Sequence, residues 1–157
     1  MSNLTLSVKP FSALTPLALY AMMRLRIAVF VVEQTCPYQD LDDKDFDALH
    51  VTLSDDDGVQ AYARVLDTGV SFADAPAIGR VISAKRGVGL GAQIMQASLA
   101  VAKTHYNAKQ VKLDAQVYAQ GFYEKLGFVV CSDVFLEDGI PHVTMVCQTK
   151  ENEREPI

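Results

Sequence analysis

The chain has no tryptophan, few cysteines, no cluster of basic residues and no unbroken apolar stretch long enough to cross a membrane, and each shortage removes a class of function. Cys36, Cys131 and Cys147 are odd in number, widely spaced and without a Cys-x-x-Cys pair. That pattern speaks against a disulfide framework or a thiolate zinc site and suits reduced thiols in a cytoplasmic protein, so neither a bridge nor a metal is expected. Lys and Arg number 14 against 19 Asp and Glu, and the bases are scattered over a chain of net charge −5. A nucleic-acid surface requires clustered Lys and Arg, so no such partner is expected. The opening residues Met1 to Ser7 lack the basic and then apolar order of a signal peptide. The longest apolar region, Leu17 to Val32, is interrupted by Arg24 and Arg26 and reads as a soluble helix, not a membrane span. Acids gather at Asp40 to Asp47 and Asp55 to Asp57, neither in the order of a calcium loop, and both read as solvated loops.

What is present is enough for one ordinary domain: 157 residues, 50% of them hydrophobic, with no repeat or linker. Leu4 to Val8 alternates as a strand does. Thr15 is placed to cap a helix with Pro16 at its first position, and Leu17, Ala21, Leu25, Ala28 and Val32 recur on one face, which is expected to be core. Thr35 to Asp47 is loop, long enough to be functional. Leu49 to Leu53, Val59 to Leu66 and Ala77 to Ser83 form three strands close enough in sequence for an antiparallel meander. Ala92 to His105 is a second helix, with Val111 to Ala115 a strand beyond it, joined by a crossover and so parallel to the strand before. A short helix from about Ala119 to Leu126 stops at Gly127. Phe128 to Cys131 and Val143 to Cys147 close the sheet, with Glu137, Asp138 and Gly139 as turn residues between them. Residues 1–150 are expected to be a single domain and 151–157 a polar tail.

Between the third meander strand and the second helix stands Arg86-Gly87-Val88-Gly89-Leu90-Gly91. Glycines at alternate positions let the backbone approach a ligand without a Cβ in the way. The helix that follows begins with unpaired N–H groups and about half a positive charge, a setting for a diphosphate. Arg86 adds a permanent cation.

Three phosphate loops compete for this run. A P-loop needs Gly-Lys-Ser or Gly-Lys-Thr, whereas Lys85 precedes the glycines. The dinucleotide fingerprint is met locally by Gly87, Gly89, Ala92 and Asp114, but a doubly wound fold would start near this motif rather than after a meander. The third possibility accounts for the whole chain. Arginine and the glycine run after the fourth strand, then helix, strand, and Gly121-Phe122-Tyr123-Glu124-Lys125-Leu126-Gly127-Phe128, resemble the GNAT superfamily of acyl-CoA-dependent N-acetyltransferases. The segment Val29 to Tyr38, the stretch Asp42 to His50, and Glu137 to His142 resemble its ElaA-like subgroup.

The resemblance implies an α/β (α+β) fold: a mixed central sheet of six to seven strands, antiparallel in its first half, with one parallel pair at strands 4 and 5 and helices on both faces. It implies acetyl-CoA as co-substrate, with its diphosphate on the backbone of Arg86, Gly87, Val88, Gly89, Leu90, Gly91 and Ala92. Its pantetheine arm would pair with Val81, Ile82 and Ser83, where a backbone N–H near Ile82 would polarise the thioester carbonyl. Phe122 and Tyr123 are implied cofactor contacts, with Tyr123 the acid for the departing thiolate. Gln116 stands where many relatives have Asn. The acceptor would be a small-molecule amine or a protein amino group, with a homodimer also implied. An ammonium must lose a proton before attack, so a base is expected among Glu33, His50, Asp114 and His142, with Glu33 and His142 foremost. The acids Asp40 to Asp47 would draw a cationic acceptor, or serve only to solvate the surface. A non-catalytic acyl-CoA sensor of the same fold is the alternative.

Overall fold

The computed structural model describes residues 3–149; the expected polar tail lies outside the described residues. Eight strands form one sheet: β1 (Thr5–Pro10), β2 (Leu49–Asp55), β3 (Gly58–Leu66), β4 (Ala77–Ser83), β5 (Gln110–Gln116), β6 (Val129–Val130), β7 (Phe135–Glu137) and β8 (Ile140–Gln148). Their order is β1-β2-β3-β4-β5-β8-β6, with β7 also paired to β8. The meander β1 to β4 is antiparallel as expected, and β4 runs parallel to β5 across the crossover helix α2 (Leu90–Tyr106). The additional strand is β7, which folds onto β8 through the Asp138-Gly139 turn, both residues at positive φ. A three-residue strand beside a turn leaves too short a pattern to be read from sequence.

Two helices cover opposite faces. In β3, Ala61, Ala63 and Val65 face α2, packing against Ile94 and Met95, while Tyr62 faces α1 (Pro16–Arg26) and packs with Met22. The period of two along the strand sets this division. Thr15 caps α1, its hydroxyl accepting from the Ala18 N–H at 3.1 Å, with Pro16 at the first helical position. No helix among the described residues is long and apolar enough to cross a membrane.

The core-facing side of this first helix differs from expectation. Leu17 is 85% exposed and Val32 68% exposed; of the expected face Leu25 does pack inward, together with Leu19, Met22, Met23, Arg26, Val29 and Phe30. Two features displace the stripe. The helix changes to π winding over Ile27–Glu33, which shifts the phase of everything beyond Arg26. And the stripe is centred on an arginine, fully buried, which hydrophobic periodicity assigns to solvent.

Of the acids between Asp40 and Asp47, Asp43 and Asp47 are exposed as a solvated loop would have them, but Asp40, Asp42 and Asp45 enter an ion cluster, and Asp40 and Asp45 are the reason Arg26 can be buried. Arg26 Nε lies 3.0 Å from Asp40 Oδ2 and Nη1 lies 2.6 Å from Asp45 Oδ1. Arg64 of β3 forks onto Asp42, Nη1 to Oδ1 at 2.7 Å and Nη2 to Oδ2 at 2.6 Å. Arg80 of β4 lies 2.8 Å from Asp40 Oδ1 and donates to the Asp40 carbonyl at 3.0 Å. Three guanidinium groups thus meet three carboxylates. The loop Thr35 to Asp47 is fastened by charge to both α1 and the sheet. The Asp55 to Asp57 acids, by contrast, sit in the exposed β2–β3 turn.

Removing one partner of a buried ion pair leaves the others uncompensated, typically at a cost of about 3–5 kcal/mol. Arg26→Met should lose about that much stability in urea denaturation. Burial opposes ionisation of Asp42, but the hydrogen bonds and charge of Arg64 override it and hold the carboxyl at about 2. Asp45 is likewise held below the ordinary range, against its burial, by Arg26 and Arg64. Such groups bind protons less readily folded than unfolded, so their contribution is full above about pH 4 and drains as pH falls toward about 2. The urea midpoint should fall over that window, and Asp42→Asn should flatten the slope.

Candidate active site

The glycine loop is built as a cradle. Gly87 and Gly89 adopt φ of 77° and 80°, and a Cβ at either would meet nothing within 4 Å, so the space over the loop is open. Gly89 caps α2 with no side-chain hydrogen bond, leaving the first amides of a 17-residue helix without side-chain partners. Leu90 turns its side chain into the core and so offers only its backbone. Gly91 serves packing instead: a Cβ there would come within 3.2 Å of Phe122 Cζ, so its absence lets α3 (Gln120–Lys125) close on the first turn of α2.

Beside the cradle, β4 and β5 pair at a single position, Ala77 with Lys112, and then splay. A bulge sits in β4, where the register with β3 slips between Tyr62 and Arg64 and Arg80 takes φ of 51°. The Ala84 N–H donates to the Gln60 carbonyl at 2.7 Å, so by the period of two Ile82 faces its partner Tyr62 in β3. The amides of Val81 and Ser83 therefore face the open side. The free donors flank Ile82 and are not its own.

A cavity of about 770 Å³ occupies the splay, within the range of small-molecule sites. Val81, Ile82, Ser83, Arg86, Gln116, Phe122 and Tyr123 line it, as do Glu33, Asp114 and His142; the cradle Gly87 to Ala92 continues beyond its rim. His50 does not line it. That ring is buried, with Nδ1 2.7 Å from the Tyr62 hydroxyl and Nε2 2.9 Å from the Asp45 carbonyl, and desolvation pushes its pKa down. Both nitrogens are engaged in the interior, where a basic imidazole has no proton to collect from an acceptor.

Tyr123 packs edge-on against Phe122 and Phe128, at centroid distances of 5.0 and 5.9 Å. Burial, with the neighbouring Tyr118 adding to it, pushes its phenol up to about 12. His142 lies opposite Gln116 on the adjacent strand and stacks on Phe135. Its Nδ1 is 2.7 Å from the Ile140 carbonyl, which makes that nitrogen the N–H donor and leaves Nε2 as the acceptor, 3.6 Å from Glu137 Oε2. Glu33 is exposed and paired with Arg86 at 2.9 Å, so two predicted site residues meet each other. Gln116 donates to the Gln34 side chain at 3.2 Å, tying β5 to the π-wound segment. Asp114 accepts from the Thr144 hydroxyl at 2.7 Å.

Tyr38, Lys44, Arg64 and Arg80 also line the cavity and escaped the sequence reading. One signal was available: a charged residue after a glycine inside an apolar strand, Ile78-Gly79-Arg80-Val81, marks a bulge. Among the described residues no group of three His, Cys, Asp or Glu side chains is placed to hold a metal ion.

A splayed parallel pair, a bulged strand with outward amides and an uncapped glycine cradle together define an acyl-CoA-type transferase fold. The chain belongs to the GNAT acetyltransferase family: the Acetyltransferase (GNAT) domain matches residues 31–149. It is similar to the protein ElaA of Escherichia coli, 44% identical over 138 residues that cover 85% of this chain and 90% of that protein. Its fold is similar to the crystal structure of E. coli ElaA, with a TM-score of 0.85, 39% identity and coverage of 93% and 100% of the two chains. It is also similar to an acyl-CoA N-acyltransferase from Pseudomonas aeruginosa, with a TM-score of 0.84, 40% identity and coverage of 91% and 99%.

Gly89→Val separates the cradle from general strain. It should lower acetyl-CoA affinity at least about tenfold in calorimetry, about 1.4 kcal/mol, because a side chain fills the open space. Gly58→Val, at φ of 112° in the β2–β3 turn, suffers comparable strain outside the cavity and should leave that affinity unchanged.

Proposed function

We propose that the chain, as a single cytoplasmic domain over residues 1–150, transfers an acetyl group from acetyl-CoA to a primary amine by direct attack, with both substrates held in the one cavity. The observation that carries this reading is that the splay of β4 and β5 is lined by β4 from Val81 to Ser83, the Tyr123 phenol and the His142 imidazole, with the glycine loop continuing from Arg86 beyond its rim. Acetyl-CoA, when bound, supplies a thioester carbonyl as the electrophile. The backbone from Gly87 to Ala92 holds its diphosphate, and Arg86 turns from Glu33 toward that charge. The Val81 and Ser83 amides donate where negative charge gathers on the acyl oxygen, an effect worth roughly 3 kcal/mol per donor.

His142 Nε2 takes the proton that the acceptor ammonium must lose, and Glu137 stabilises the imidazolium that results. Glu33 is the second base, available once Arg86 has left it. The Tyr123 hydroxyl donates to the departing sulfur. A phenol held at about 12 stays protonated through about pH 10, so this acid is present across the whole working range.

Acetyl-CoA should bind the purified chain in calorimetry, and an amine panel should release free CoA; binding with no release from any amine would make it a sensor. Tyr123→Phe should cut kcat by about 100-fold with little change in acetyl-CoA affinity. His142→Gln should lose activity near neutral pH and recover it as pH rises, where the amine sheds its own proton. Equal turnover of either variant would return that residue to packing.

A further inference from the structure

The cavity has two chemically different ends. At the acyl end, Asp114, Glu137 and Asp138 line the wall near His142. The other end reaches the start of β4, where Ala77 and Phe72 line it together with Lys44 and Ser71. Lys44 Nζ donates to Ser71 Oγ at 3.0 Å, and among the described residues Lys44 has no carboxylate within ion-pair distance. The nearby Asp42 is committed, with both oxygens on Arg64 and one also 3.4 Å from Arg80. The buried cluster of Arg26, Arg64 and Arg80 with Asp40, Asp42 and Asp45 balances to zero, so it offers no surplus acid to a cationic acceptor. Lys44, outside that cluster, lines the cavity with its ammonium, among the described residues, on Ser71 alone. With the Ser71 oxygen accepting from the ammonium, the Ser71 O–H and the remaining ammonium protons are available to donate. An ammonium and a hydroxyl proton directed at one cavity end are donors that suit an anion.

We propose that Lys44 and Ser71 anchor a carboxylate on the acceptor, so that the acceptor is an extended amine with its anionic group at the far end from the reacting nitrogen. This rests on the acyl-transfer reading above. Strand rise gives the span: Val81 and Ala77 are separated by four residues at ~3.3 Å each, about 13 Å in a regular strand, and the bulge at Arg80 shortens this, so the amine and the carboxylate stand on the order of 10 Å apart. Gly79 lies between them, where a Cβ would meet only Arg64 Nε, at 4.0 Å, so the floor of the channel is clear for an alkyl or peptide chain. An α-amino acid is too short to touch both ends. An ω-amino carboxylate or a small peptide is long enough.

The test is a matched series with the full chain and acetyl-CoA: 3-aminopropanoate, 6-aminohexanoate and 8-aminooctanoate, each against its primary amide, read by CoA release. In the longer members the amine is chemically the same in acid and amide, so any difference reports the distal carboxylate. The expected result is kcat/KM at least about tenfold higher for the longer acids than for their amides, with no such gain for 3-aminopropanoate. Lys44→Gln should remove that preference, Lys44→Arg should keep it, and neither should change acetyl-CoA affinity. As a reading independent of turnover, 6-acetamidohexanoate should bind the CoA-loaded chain in calorimetry and fail to bind Lys44→Gln. Acids and amides used equally well, or a Lys44→Gln loss shared equally by both, would overturn the anchor while leaving the transferase. Failure to release CoA with any acceptor would overturn the transfer reaction and the anchor together.

Discussion

The burial of Arg26 is the constraint on which the rest of the site depends. A guanidinium at 0% exposure is tolerable only if every face of it finds a partner, and it finds them in Asp40 and Asp45 from a loop with little apolar material of its own. Apart from Phe46, which packs edge-on against Phe11, that loop has few apolar contacts to hold it. It is held because Arg64 reaches Asp42 and Asp45 and Arg80, from the adjacent strand, reaches Asp40 and Asp42, which fixes where each carboxylate lies. Tyr38 adds a 2.6 Å hydrogen bond to Asp40. Charge-assisted contacts are directional as well as strong, which is what a cavity wall requires.

The same cluster reaches the chemistry through Arg80. Its backbone lies at φ 51°, a conformation that costs a residue with a Cβ roughly 1–3 kcal/mol and persists only when the surroundings impose it. The guanidinium contacts to Asp40 and Asp42 are what impose it. The bulge that results breaks the register with β3 and bends β4 away from β5, which opens the splay and leaves the Val81 and Ser83 amides unpaired on its inner side. Ion pairs in the acceptor wall and donors at the acyl site are therefore two ends of one residue.

Local patterns made much of this legible from the residues alone. The Thr15-Pro16 cap, the meander and the crossover helix each follow from short-range periodicity and turn chemistry, and the glycine run announces its own conformation. The ion cluster was hidden because its members are far apart in sequence, Arg26 from Asp45 by 19 positions and Arg80 from Asp40 by 40. An acid-rich stretch read by itself is rightly a solvated loop; only the fold supplies three arginines to it. The stripe on the first helix failed for the same cause, since a buried arginine looks like an outward one until its partners are known. His50 drew attention as a titratable residue beside a functional loop, yet its position in β2 fixes it between Tyr62 and the Asp45 carbonyl.

The pairing of Arg86 with Glu33 decides how the two halves of the cavity communicate. Both side chains are more than half exposed, and an exposed pair is worth about 0–1 kcal/mol. In the proposed reaction a diphosphate would offer Arg86 two negative charges beside a helix N-terminus that already favours them, so the exchange of partners would run toward the phosphate. Glu33 would then be left as an unpaired carboxylate lining the same cavity as Asp114 and Gln116. Under the proposed function, loading the donor would uncover the Glu33 charge at the amine end and leave Lys44 at the other end unchanged, so an acceptor of the proposed kind would be oriented amine-first.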